Sequence, residues 1–357
     1  MKIVFVLPNI SSGGAERVVT ILSDKFIEKG YNVDIVLLID EIIQYEVSAG
    51  VDIVMLNTAG MSKSTRIRTF RKYLKRERKK QNIVVIPFQD SCLHNALAAS
   101  MFLHIPIVAC ERNNPYRKGT GILNKLKAEL PFLLAKHCVF QTPDARAYYS
   151  LISSKKCDVI INPITPAAMR WKHDHSPEKM IMVGRLHNQK NYPMLIDAMT
   201  KVREMYPTAC VHVYGEGELK EELIAYTKRK GMGDAVIFKG RTSQVQQKLS
   251  ESSIFLLSSD FEGLSNAMLE AMSVGMPLIC TDCPIGGAKM MLDGNCGVLT
   301  TVGDVEAFAK AIIGLLSDPD QMDVIGGNAK NKADSYSADS IADKWEEVIK
   351  KIIKQRV

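Results

Sequence analysis

Residues 253–282, SIFLLSSDFEGLSNAMLEAMSVGMPLICTD, contain the pattern on which the fold prediction depends. The segment starts with an apolar run, continues through a polar turn and a short helical stretch, and ends with a second apolar run. Short apolar runs that are bounded by turn residues and separated by a helix predict buried parallel strands. The segment is therefore predicted to be one strand–helix–strand unit of an open α/β sheet.

The same alternation extends over nearly the whole chain. In the first half the predicted strands are IVFVLP, VDIVLLI, IVVIPF, IPIVAC, HCVFQT and DVIINP. After a proline-rich polar stretch at 162–179, which is typical of a linker, they are MIMVGRL, TACVHVYG, AVIFKG, SIFLLSS, PLICTD and GVLTT. We therefore predict two doubly wound α/β domains, residues 1–165 and 166–337, facing each other across a cleft. The last segment, 338–357, is predicted to contain a helix that packs back across the domains.

The composition limits the kinds of protein that this sequence can encode. A chain of 357 residues exceeds the size at which a single core stops growing, so two domains are expected. The eight cysteines have irregular spacings, and the C-x-x-C lacks the second pair of a zinc site, which favours a reducing cytoplasm. No uncharged apolar run reaches the roughly 18 residues that a membrane-spanning helix needs.

Positive charge is concentrated in the first half of the chain. Residues 1–165 carry 23 Lys and Arg against 14 Asp and Glu, whereas the remaining residues carry 23 against 25. This asymmetry predicts that the first half meets an anionic partner: nucleic acid, a phospholipid surface or a phosphorylated substrate. Nucleic acid is the least favoured of the three, because no aromatic-interleaved or groove-reading motif accompanies the charge.

Ligands of doubly wound sheets bind at loops that follow the carboxyl ends of the strands. In the loop NISSGGAER, Gly13 and Gly14 expose backbone that could hold a phosphate, although a tight strand–helix turn would use the same residues. The loop is not G-x-G-x-x-G, so a dinucleotide fingerprint is absent. The loop VGRLHNQKN carries Arg185 and Lys190, two cations that suit a diphosphate, with an ordinary solvated loop as the alternative.

The loop after SIFLLSS brings two glutamates close to the start of a predicted helix. The first amides of a helix attract phosphate, so Glu262 at this position would repel a phosphate unless it binds something else. A carboxylate accepts hydrogen bonds from neighbouring hydroxyls, as acidic residues of dinucleotide sites do with ribose. Glu262 and Glu270 therefore suit the two sets of hydroxyls of a sugar nucleotide. The alternatives are helix capping for Glu262 and a solvated helix face for Glu270.

With these residues in view, the chain resembles the family 4 glycosyltransferases, which have the GT-B fold and transfer a sugar from a nucleotide donor with retention of the anomeric configuration. The resemblance covers nearly the whole length. The motifs that carry it, in the family's order, are GGAER at 13–17, VGRLHNQKN at 183–191, YGEGELKEEL at 214–223, VIFKG at 236–240, FEGLSNAMLEAMSVGMPLICTD at 261–282 and PIGGAKMML at 284–292. The VIFKG and 261–282 segments are specific to the family, whereas the glycines of 215–217 alone would be weak support.

The resemblance assigns a role to each loop. It implies that Glu262 and Glu270 form the family's E-x7-E element, with Glu270 on the ribose and Glu262 on the donor sugar. Arg185 and Lys190 would neutralise the leaving diphosphate. The other implied donor contacts are Phe238 and Lys239 for the base, Gly263, Leu264, Ser265 and Asn266 for the diphosphate or sugar, and Gly13 and Gly14 from the other domain.

The chain departs from the family in CERNNP, which contains the end of the fourth predicted strand. Many relatives have a histidine after the glutamate, where this chain has Arg112, which could serve an acceptor phosphate. GGAKMML also lacks an acidic residue that some relatives carry.

The family is thought to need no protein nucleophile, so the expected contributions of the protein to catalysis are positioning and electrostatic stabilisation. With two fixed cations, no metal ion or other cofactor is expected; DPD (318–320) lies in a predicted turn, and HDH (173–175) lacks partner ligands.

Two predicted helices of the first half combine apolar and basic residues. RIRTFRKYLKRERKKQ has nine cations and one acid from Arg66 to Lys80, with Ile67, Phe70 and Leu74 spaced for one helix face. This charge density predicts an anionic membrane or polyphosphate surface as its partner. GTGILNKLKAELPFLLAK (119–136) places leucines beside lysines, and for this helix a core-facing stripe and a membrane surface are both open interpretations.

The favoured hypothesis is a retaining glycosyltransferase that moves a sugar from a UDP donor to a lipid-linked or polysaccharide acceptor. Its expected location is the inner face of a bacterial cytoplasmic membrane, as a peripheral protein. A nucleotide-sugar epimerase or hydrolase of the same architecture is one alternative, and it would need no acceptor. A non-catalytic membrane-binding relative is another, but the presence of all four charged donor residues argues against it.

Overall fold

The structure, a computed structural model, describes residues 1–10, 13–39, 45–119, 121–172 and 178–354. The chain forms two compact units. The first consists of Met1–Pro163 and the C-terminal helix that starts at Ala338, and the second consists of Ile164–Ser337. The chain thus leaves the first domain once and returns to it at its end.

The first domain contains parallel strands and five helices before the chain leaves it. The strands are β1 (Lys2–Leu7), β2 (Asn32–Leu37), β3 (Val51–Met55), β4 (Ile83–Pro87), β5 (Val108–Glu111), β6 (His137–Phe140) and β7 (Cys157–Val159). The helices are α1 (Gly14–Glu28), α2 (Lys63–Lys80), α3 (Asp90–Ser100), α4 (Ile122–Leu134) and α5 (Pro143–Tyr148). Short 3-10 turns lie at Pro115–Lys118 and Ser154–Lys156.

The strand order of the first domain is that of a doubly wound fold. Strands β3-β2-β1-β4 form one sheet and β5-β6-β7 form another. A parallel bridge between Val85 and Ile107 connects β4 to the segment before β5. The chain therefore starts in the middle, builds outward on one side and then on the other, as in dinucleotide-binding folds. All six strands predicted for this half are present.

Strand β3 is missing from the predicted pattern. It pairs in parallel with β2, with Ile53 opposite Ile35, and forms the edge of its sheet. Of its residues only Val51 is buried, because an edge strand has one side and part of each face open to water. Strand β5, which ends at Glu111, is consequently the fifth strand of the chain and not the fourth.

The second domain is also a parallel α/β sheet. Its strands are β8 (Lys179–Val183), β9 (Cys210–Tyr214), β10 (Val236–Gly240), β11 (Phe255–Leu257), β12 (Leu278–Thr281) and β13 (Val298–Thr300). Its helices are α6 (Tyr192–Met205), α7 (Lys220–Arg229), α8 (Val245–Ser250), α9 (Asn266–Val274), α10 (Ala288–Leu292), α11 (Val305–Leu316) and α12 (Pro319–Asp334), with a 3-10 turn at Asn188–Lys190. The order β10-β9-β8-β11-β12-β13 confirms all six predicted strands and makes β8 a neighbour of both β9 and β11. The loops that follow these three strands therefore lie side by side.

The C-terminal helix α13 (Ala338–Lys354) packs on the first domain. Trp345 is fully buried, and its ring centre lies 6.2 Å from that of Phe88, which follows β4. The Tyr31 hydroxyl donates a hydrogen bond to Glu346 over 2.6 Å. The last helix therefore contributes to the core of a domain from which it is separated by the whole second domain.

Buried charged groups join helix α2 to the first sheet. The Nζ of Lys2 lies 2.7 Å from the carboxylate of Asp34 and 3.1 Å from that of Glu77. The Tyr73 hydroxyl donates to Asp34 over 2.5 Å. Lys2, Asp34 and Glu77 are all buried, and charges in such positions are tolerated only when they are paired. The one acid of the basic helix therefore faces inward.

The pKa of Glu77 shows the effect of this pairing. Burial raises the pKa of Glu77, but hydrogen bonds from Lys80, Lys2 and Arg76 outweigh burial and lower it to about 2. A carboxylate whose pKa is lower in the folded chain stabilises the fold above its unfolded pKa of ~4.3. That contribution is lost as the pH falls from this value towards 2.

We expect Glu77→Gln to reduce the free energy of unfolding at pH 7 by about 1.5–3 kcal/mol, the usual contribution of hydrogen bonds to a charged group. The difference from the wild type should shrink as the pH falls below ~4.5, because Glu77 of the unfolded wild type is protonated there while the folded wild type still holds the charged carboxylate. Urea denaturation at several pH values measures both effects. Glu28→Gln, at an exposed ion pair of α1, is the control and should cost little. A Glu77→Gln deficit that is independent of pH would contradict the electrostatic explanation.

Candidate active site

Two loops of the second domain touch through their backbones. Gly184 follows β8 and Gly215 follows β9, and a Cβ atom added to Gly215 would lie 1.9 Å from the carbonyl oxygen of Gly184. A Cβ atom added to Gly217 would lie 2.2 Å from the carbonyl oxygen of Leu186. The Leu186 N–H donates to the Glu216 carbonyl over 3.0 Å. The glycines of YGEGEL are thus required by close backbone approach, and they fix the path of the loop that carries both predicted cations.

The turn after β8 is also bonded to the loop after β11. The Ser258 hydroxyl donates to the carbonyl oxygens of Lys190 and Asn191, over 2.9 and 3.1 Å. The Asp260 N–H donates to the Gln189 carbonyl over 2.9 Å. The Asn191 amide donates to the Asp260 carboxylate over 2.6 Å. The ends of these two neighbouring strands therefore form one hydrogen-bonded unit.

This unit places Lys190 against Glu262. The Lys190 Nζ lies 2.5 Å from Glu262 Oε1, which also accepts a hydrogen bond from the Ser259 hydroxyl over 2.8 Å. The Gln189 amide donates to Glu262 Oε2 over 3.1 Å. Glu262 is 6% exposed, and its partners compensate for the loss of water. Sequence reasoning missed Ser259 and Gln189, whose only signal is their position beside the predicted charged residues.

After these contacts, Lys190 and Glu262 can each still form hydrogen bonds to a ligand. An ammonium group has three N–H donors, so Lys190 keeps two after its bond to Glu262. A carboxylate oxygen accepts about two hydrogen bonds, so Oε1 is filled while Oε2 keeps one position beside Gln189. The pair can therefore bind an anionic group and a hydroxyl side by side.

The charged pair lies near buried groups that are neutral at pH 7. Burial, together with the charge of Glu262, raises the pKa of Cys283 to about 11. Burial and the same charge also raise the pKa of Tyr192, whose hydroxyl donates to the Gly184 carbonyl over 2.9 Å. Neither side chain therefore offers a base or nucleophile at neutral pH.

Arg185 is the second predicted cation of this loop. Its side chain is exposed, and it has no ion pair or hydrogen bond among the residues that the structure describes. A guanidinium in this state can bind two oxygens of a phosphate group at once. Arg185 and Lys190 thus differ: one is free, and the other is held in place by Glu262.

Helix α9 begins next to this pair and has its own cap. Ser265 accepts a hydrogen bond from the Met268 N–H over 3.4 Å, so Ser265, and not Glu262, caps the helix. Glu270 lies in the second turn and is buried at 9% exposure, so it is not on a solvated face. The loop between Glu262 and the cap contains Gly263 and Leu264, and Asn266 is the first helical residue.

Phe238 and Lys239 lie at a bulge in β10. The register with β9 shifts between Phe238 and Gly240, so Lys239 has no opposite residue on β9. Lys239 is exposed, and the Phe238 ring centre lies 6.4 Å from that of Tyr192. Burial lowers the pKa of His212 on β9 to about 4, assisted by the charge of Lys239. A bulge leaves backbone groups outside the ladder, where they are available to other partners.

Gly13 and Gly14 begin helix α1 of the first domain. Gly13 is the N-cap residue, with φ of −93°, and no described side chain caps the helix there. The Tyr45 hydroxyl donates to the Gly13 carbonyl over 3.2 Å. A Cβ atom added to Gly13 would lie 2.1 Å from a carboxylate oxygen of Glu16, so an acidic side chain lies against this turn. This geometry fits a tight strand–helix turn better than a phosphate-binding turn.

Arg112 follows β5 and lies over two aromatic rings. Its guanidinium carbon lies 4.0 Å from the ring centre of Phe88 and 5.4 Å from that of Trp345. Nη1 donates to Asn162 over 3.3 Å, whereas Nε and Nη2 are buried without a partner in the described part of the chain. Burial lowers the pKa of Arg112. Arg112 therefore connects β5 to α13 and still has unused N–H donors.

Several known proteins that are similar to this chain are named as glycosyltransferases. Residues 167–332 match the family model described as Glycosyl transferases group 1. An uncharacterized glycosyltransferase of Haemophilus influenzae is 23% identical over 354 residues, which cover 98% of this chain and 99% of that protein. The chain is a glycosyltransferase whose residues 167–332 match the group 1 family model.

A second relative of the glycosyltransferase is the GalNAc-alpha-(1->4)-GalNAc-alpha-(1->3)-diNAcBac-PP-undecaprenol alpha-1,4-N-acetyl-D-galactosaminyltransferase of Campylobacter jejuni. It is 25% identical over 362 residues, which cover 99% of each protein. Among solved structures, Anabaena HepE in complex with UDP and glucose superposes with a TM-score of 0.82 at 17% identity, covering 98% of this chain and 99% of that one. The fold is GT-B, as predicted.

The basic helix α2 of the glycosyltransferase uses part of its charge inside the fold. Of the nine cations from Arg66 to Lys80, four have partners: Arg66 donates to Thr58, Arg71 to the carbonyls of Ala99 and Met101, and Arg76 and Lys80 to Glu77. The five others are exposed and have no partner among the described residues: Arg68, Lys72, Lys75, Arg78 and Lys79. Phe70 and Leu74 are buried, so the apolar side of this helix faces the core. The predicted basic surface therefore consists mainly of these five side chains.

The remaining sequence predictions concern membranes and metals. No helix in the described ranges is both long and apolar enough to cross a lipid bilayer. Within the same ranges, no three His, Cys, Asp or Glu side chains are grouped as metal ligands. Asp318 of DPD caps helix α12 by accepting the Gln321 N–H over 3.0 Å, and HDH lies outside the described residues.

We expect Gly215→Ala to slow transfer by the glycosyltransferase and to reduce its stability by about 1–3 kcal/mol, as overpacking does. The new methyl group would push the Gly184 backbone away and displace the loop that holds Arg185 and Lys190. Thermal unfolding and the rate of transfer measure the two effects. Gly233→Ala is the matched control, because nothing lies within 4 Å of a Cβ atom at that position. Equal behaviour of the two variants would contradict the role of the backbone contact.

Proposed function

We propose that this glycosyltransferase moves a sugar from a UDP donor to a lipid-linked glycan with retention of the anomeric configuration. The observation that carries the proposal is the Lys190–Glu262 pair, whose lysine shares the loop after β8 with the free cation Arg185. Cations match a diphosphate, and a carboxylate with one open acceptor position matches a sugar hydroxyl. Anabaena HepE, which shares the fold, has been crystallised with UDP and glucose, and this supports a UDP-sugar donor.

In the proposed donor complex, Arg185 and Lys190 neutralise the charge that grows on the diphosphate as the bond to the sugar breaks. Lys190 is preorganised for this task, because Glu262 holds its ammonium group and Ser258 holds its backbone. Preorganised donors cost no reorganisation at the moment of reaction. Glu262 accepts a sugar hydroxyl on Oε2, and Glu270 accepts the ribose hydroxyls. The backbone at Phe238 and Lys239 meets the base, and Gly263 to Asn266 contact the diphosphate or sugar.

The proposed reaction needs no protein nucleophile. The acceptor hydroxyl attacks the anomeric carbon on the face from which the diphosphate leaves, and an oxygen of the departing phosphate takes the hydroxyl proton. The two cations supply the positive charge, so we propose that neither a metal ion nor another cofactor is required.

Two observations support a lipid-linked acceptor and a peripheral position on the inner face of the cytoplasmic membrane. The Campylobacter jejuni relative is named for a substrate that carries PP-undecaprenol. In the first domain, five exposed cations of α2 suit an anionic surface, and the unused N–H donors of Arg112 suit an acceptor phosphate.

The function is tested with a panel of nucleotide sugars, each incubated with and without a polyprenyl-diphosphate-linked glycan in detergent. Mass spectrometry should detect the extended glycan, and NMR should show that the new bond keeps the anomeric configuration of the donor. A nucleotide-sugar epimerase or hydrolase would convert the donor at the same rate without the glycan, and that result would overturn the proposal.

We expect Lys190→Ala to lower kcat by about 10²–10³, the scale found when one preorganised donor to a developing charge is removed. Lys201→Ala, at an exposed cation of the same domain that pairs with Glu306, should leave kcat unchanged. Transfer by the wild type should survive EDTA. Inactivation by EDTA followed by rescue with magnesium or manganese would show that a metal ion supplies the charge instead.

We expect Glu270→Ala to weaken the binding of free UDP about 10- to 100-fold, because hydrogen bonds from ribose to a charged group contribute about 1.5–3 kcal/mol. Glu262→Ala should leave UDP affinity nearly unchanged and lower kcat, since its proposed partners are the sugar and Lys190. Calorimetric titration with UDP separates the two carboxylates. Equal losses of UDP affinity in both variants would contradict this division of roles.

A further inference from the structure

Helix α4 presents its apolar side chains to solvent. Ile122 is 80% exposed and Leu134 is 66% exposed, and Leu123, Leu126, Leu130 and Leu133 are exposed as well. The buried side chains are Ala128, Glu129, Pro131 and Phe132. A helix on a globular surface normally turns its apolar side to the core, so the orientation of α4 is reversed. A core-facing leucine stripe, one of the two open interpretations of this segment, is therefore wrong.

Contacts on the inner side fix this orientation. The Phe132 ring centre lies 4.4 Å from that of Tyr149 and 5.9 Å from that of Phe140. The Glu129 carboxylate accepts the Leu151 N–H over 2.8 Å. A rotation that buried the leucines would expose Phe132 and break the bond to Glu129. The first domain thus folds with the leucines outside.

A turn beside α4 exposes a further large apolar side chain. Phe102, two residues after α3, is 83% exposed and has φ of 60°, which is uncommon for a bulky residue. Arg71 of α2 donates to the carbonyl oxygens of Ala99 and Met101, over 2.9 and 2.7 Å, and so stabilises this turn. The Phe102 ring is therefore exposed to solvent in the folded chain and does not contribute to the core.

A groove of about 1190 Å³ lies between this turn and α4. Its apolar lining includes Leu97, Met101, Ile105, Leu130 and Leu134. Its charged lining is Lys127, Lys136, Lys155 and Lys156, and no Asp or Glu occurs among the described residues that line it. An exposed apolar surface with lysines around it is complementary to an anionic lipid surface. The apolar side chains match the acyl chains, and the lysines match the headgroup phosphates.

We propose that α4 and the turn at 101–104 form a docking face that inserts into the interface of an anionic phospholipid bilayer. The leucines and Phe102 enter the acyl-chain boundary, and the lysines of the groove bind headgroup phosphates. The proposal rests on the proposed function in one respect, namely that a lipid-linked acceptor lies in the same membrane. It adds a site of insertion to the purely electrostatic attraction expected of α2.

The charge of this face argues against a second copy of the chain as its occupant. In a symmetric dimer the same patch meets itself, so the four lysines of one groove would face those of the other. Like charges in contact across an interface are unfavourable, whereas the same lysines are complementary to anionic headgroups.

The experiment measures flotation of the full-length protein with vesicles of phosphatidylglycerol and phosphatidylcholine, and with phosphatidylcholine alone. A variant with Phe102→Ser, Leu123→Ser, Leu126→Ser and Leu130→Ser should bind anionic vesicles at least about tenfold more weakly than the wild type, because buried apolar area sets interfacial affinity. These side chains are exposed, so its melting temperature and UDP affinity should not change. Met205→Ser with Val324→Ser, at exposed apolar positions of the second domain, is the matched control and should bind as the wild type does.

Two further measurements separate insertion from attraction by charge. In the Phe102→Trp variant, indole emission should shift to shorter wavelength when anionic vesicles are added. Replacement of Lys127, Lys136 and Lys155 by Gln should weaken binding at low salt and matter less at high salt, because salt screens exposed charges.

The proposal is overturned if the serine variant floats as well as the wild type, or if the indole emission of the Phe102→Trp variant does not respond to vesicles. It is also overturned if the wild type sediments as a dimer that the serine substitutions dissociate and does not bind vesicles, since the face would then join two copies. Vesicle binding without transfer to any lipid-linked acceptor would leave the docking face intact and refute the proposed function instead.

Discussion

The contact between the backbones of Gly184 and Gly215 is the constraint on which the site of the second domain depends. It holds the end of β8 against the end of β9 so closely that no side chain fits at Gly215. The loop after β8 therefore has a single path, and its far end is bonded through Ser258 to the neighbouring strand β11. Lys190 reaches Glu262 because both ends of this short loop are fixed. The Lys190–Glu262 pair therefore depends on the strand order, because β8 lies between β9 and β11 and its loop contacts the loops of both neighbours.

Both domains keep one set of charges paired and another set free. In the first domain Glu77 binds cations of α2 and Lys2, and five other cations between Arg66 and Lys80 remain in solvent. In the second domain Glu262 binds Lys190, and Arg185 has no partner among the described residues. Pairing of a buried carboxylate offsets the cost of its desolvation and also orients the cation that it binds. The free cations are the ones that can still neutralise a ligand or a lipid surface.

Helices α2 and α4 show why a periodic pattern alone does not assign a helix face. Both sequences combine apolar and basic residues at helical spacing, yet α2 buries Phe70 and Leu74 while α4 exposes its leucines. The difference in orientation comes from residues outside the apolar and basic stripes. The aromatic contacts of Phe132 and the bond from Leu151 to Glu129 turn α4 one way, and the bonds of Glu77 turn α2 the other way.

The sequence by itself determined the fold class, the final helix and twelve of the thirteen strands found in the described ranges, because apolar runs separated by helical segments leave few alternatives to a parallel sheet. It also predicted Arg185, Lys190, Glu262 and Glu270 as site residues, because ligands of doubly wound sheets bind at loops that follow the strands, where cations suit a diphosphate and carboxylates suit sugar hydroxyls. Only the tertiary structure decided that Lys190 binds Glu262, that Ser265 caps α9, that Arg112 lies over Phe88 and Trp345, and that α4 faces outward. It also added the edge strand β3, which has too few buried residues to be recognised. These features depend on contacts between residues far apart in the chain, and a local pattern contains no information about which distant partner will be present.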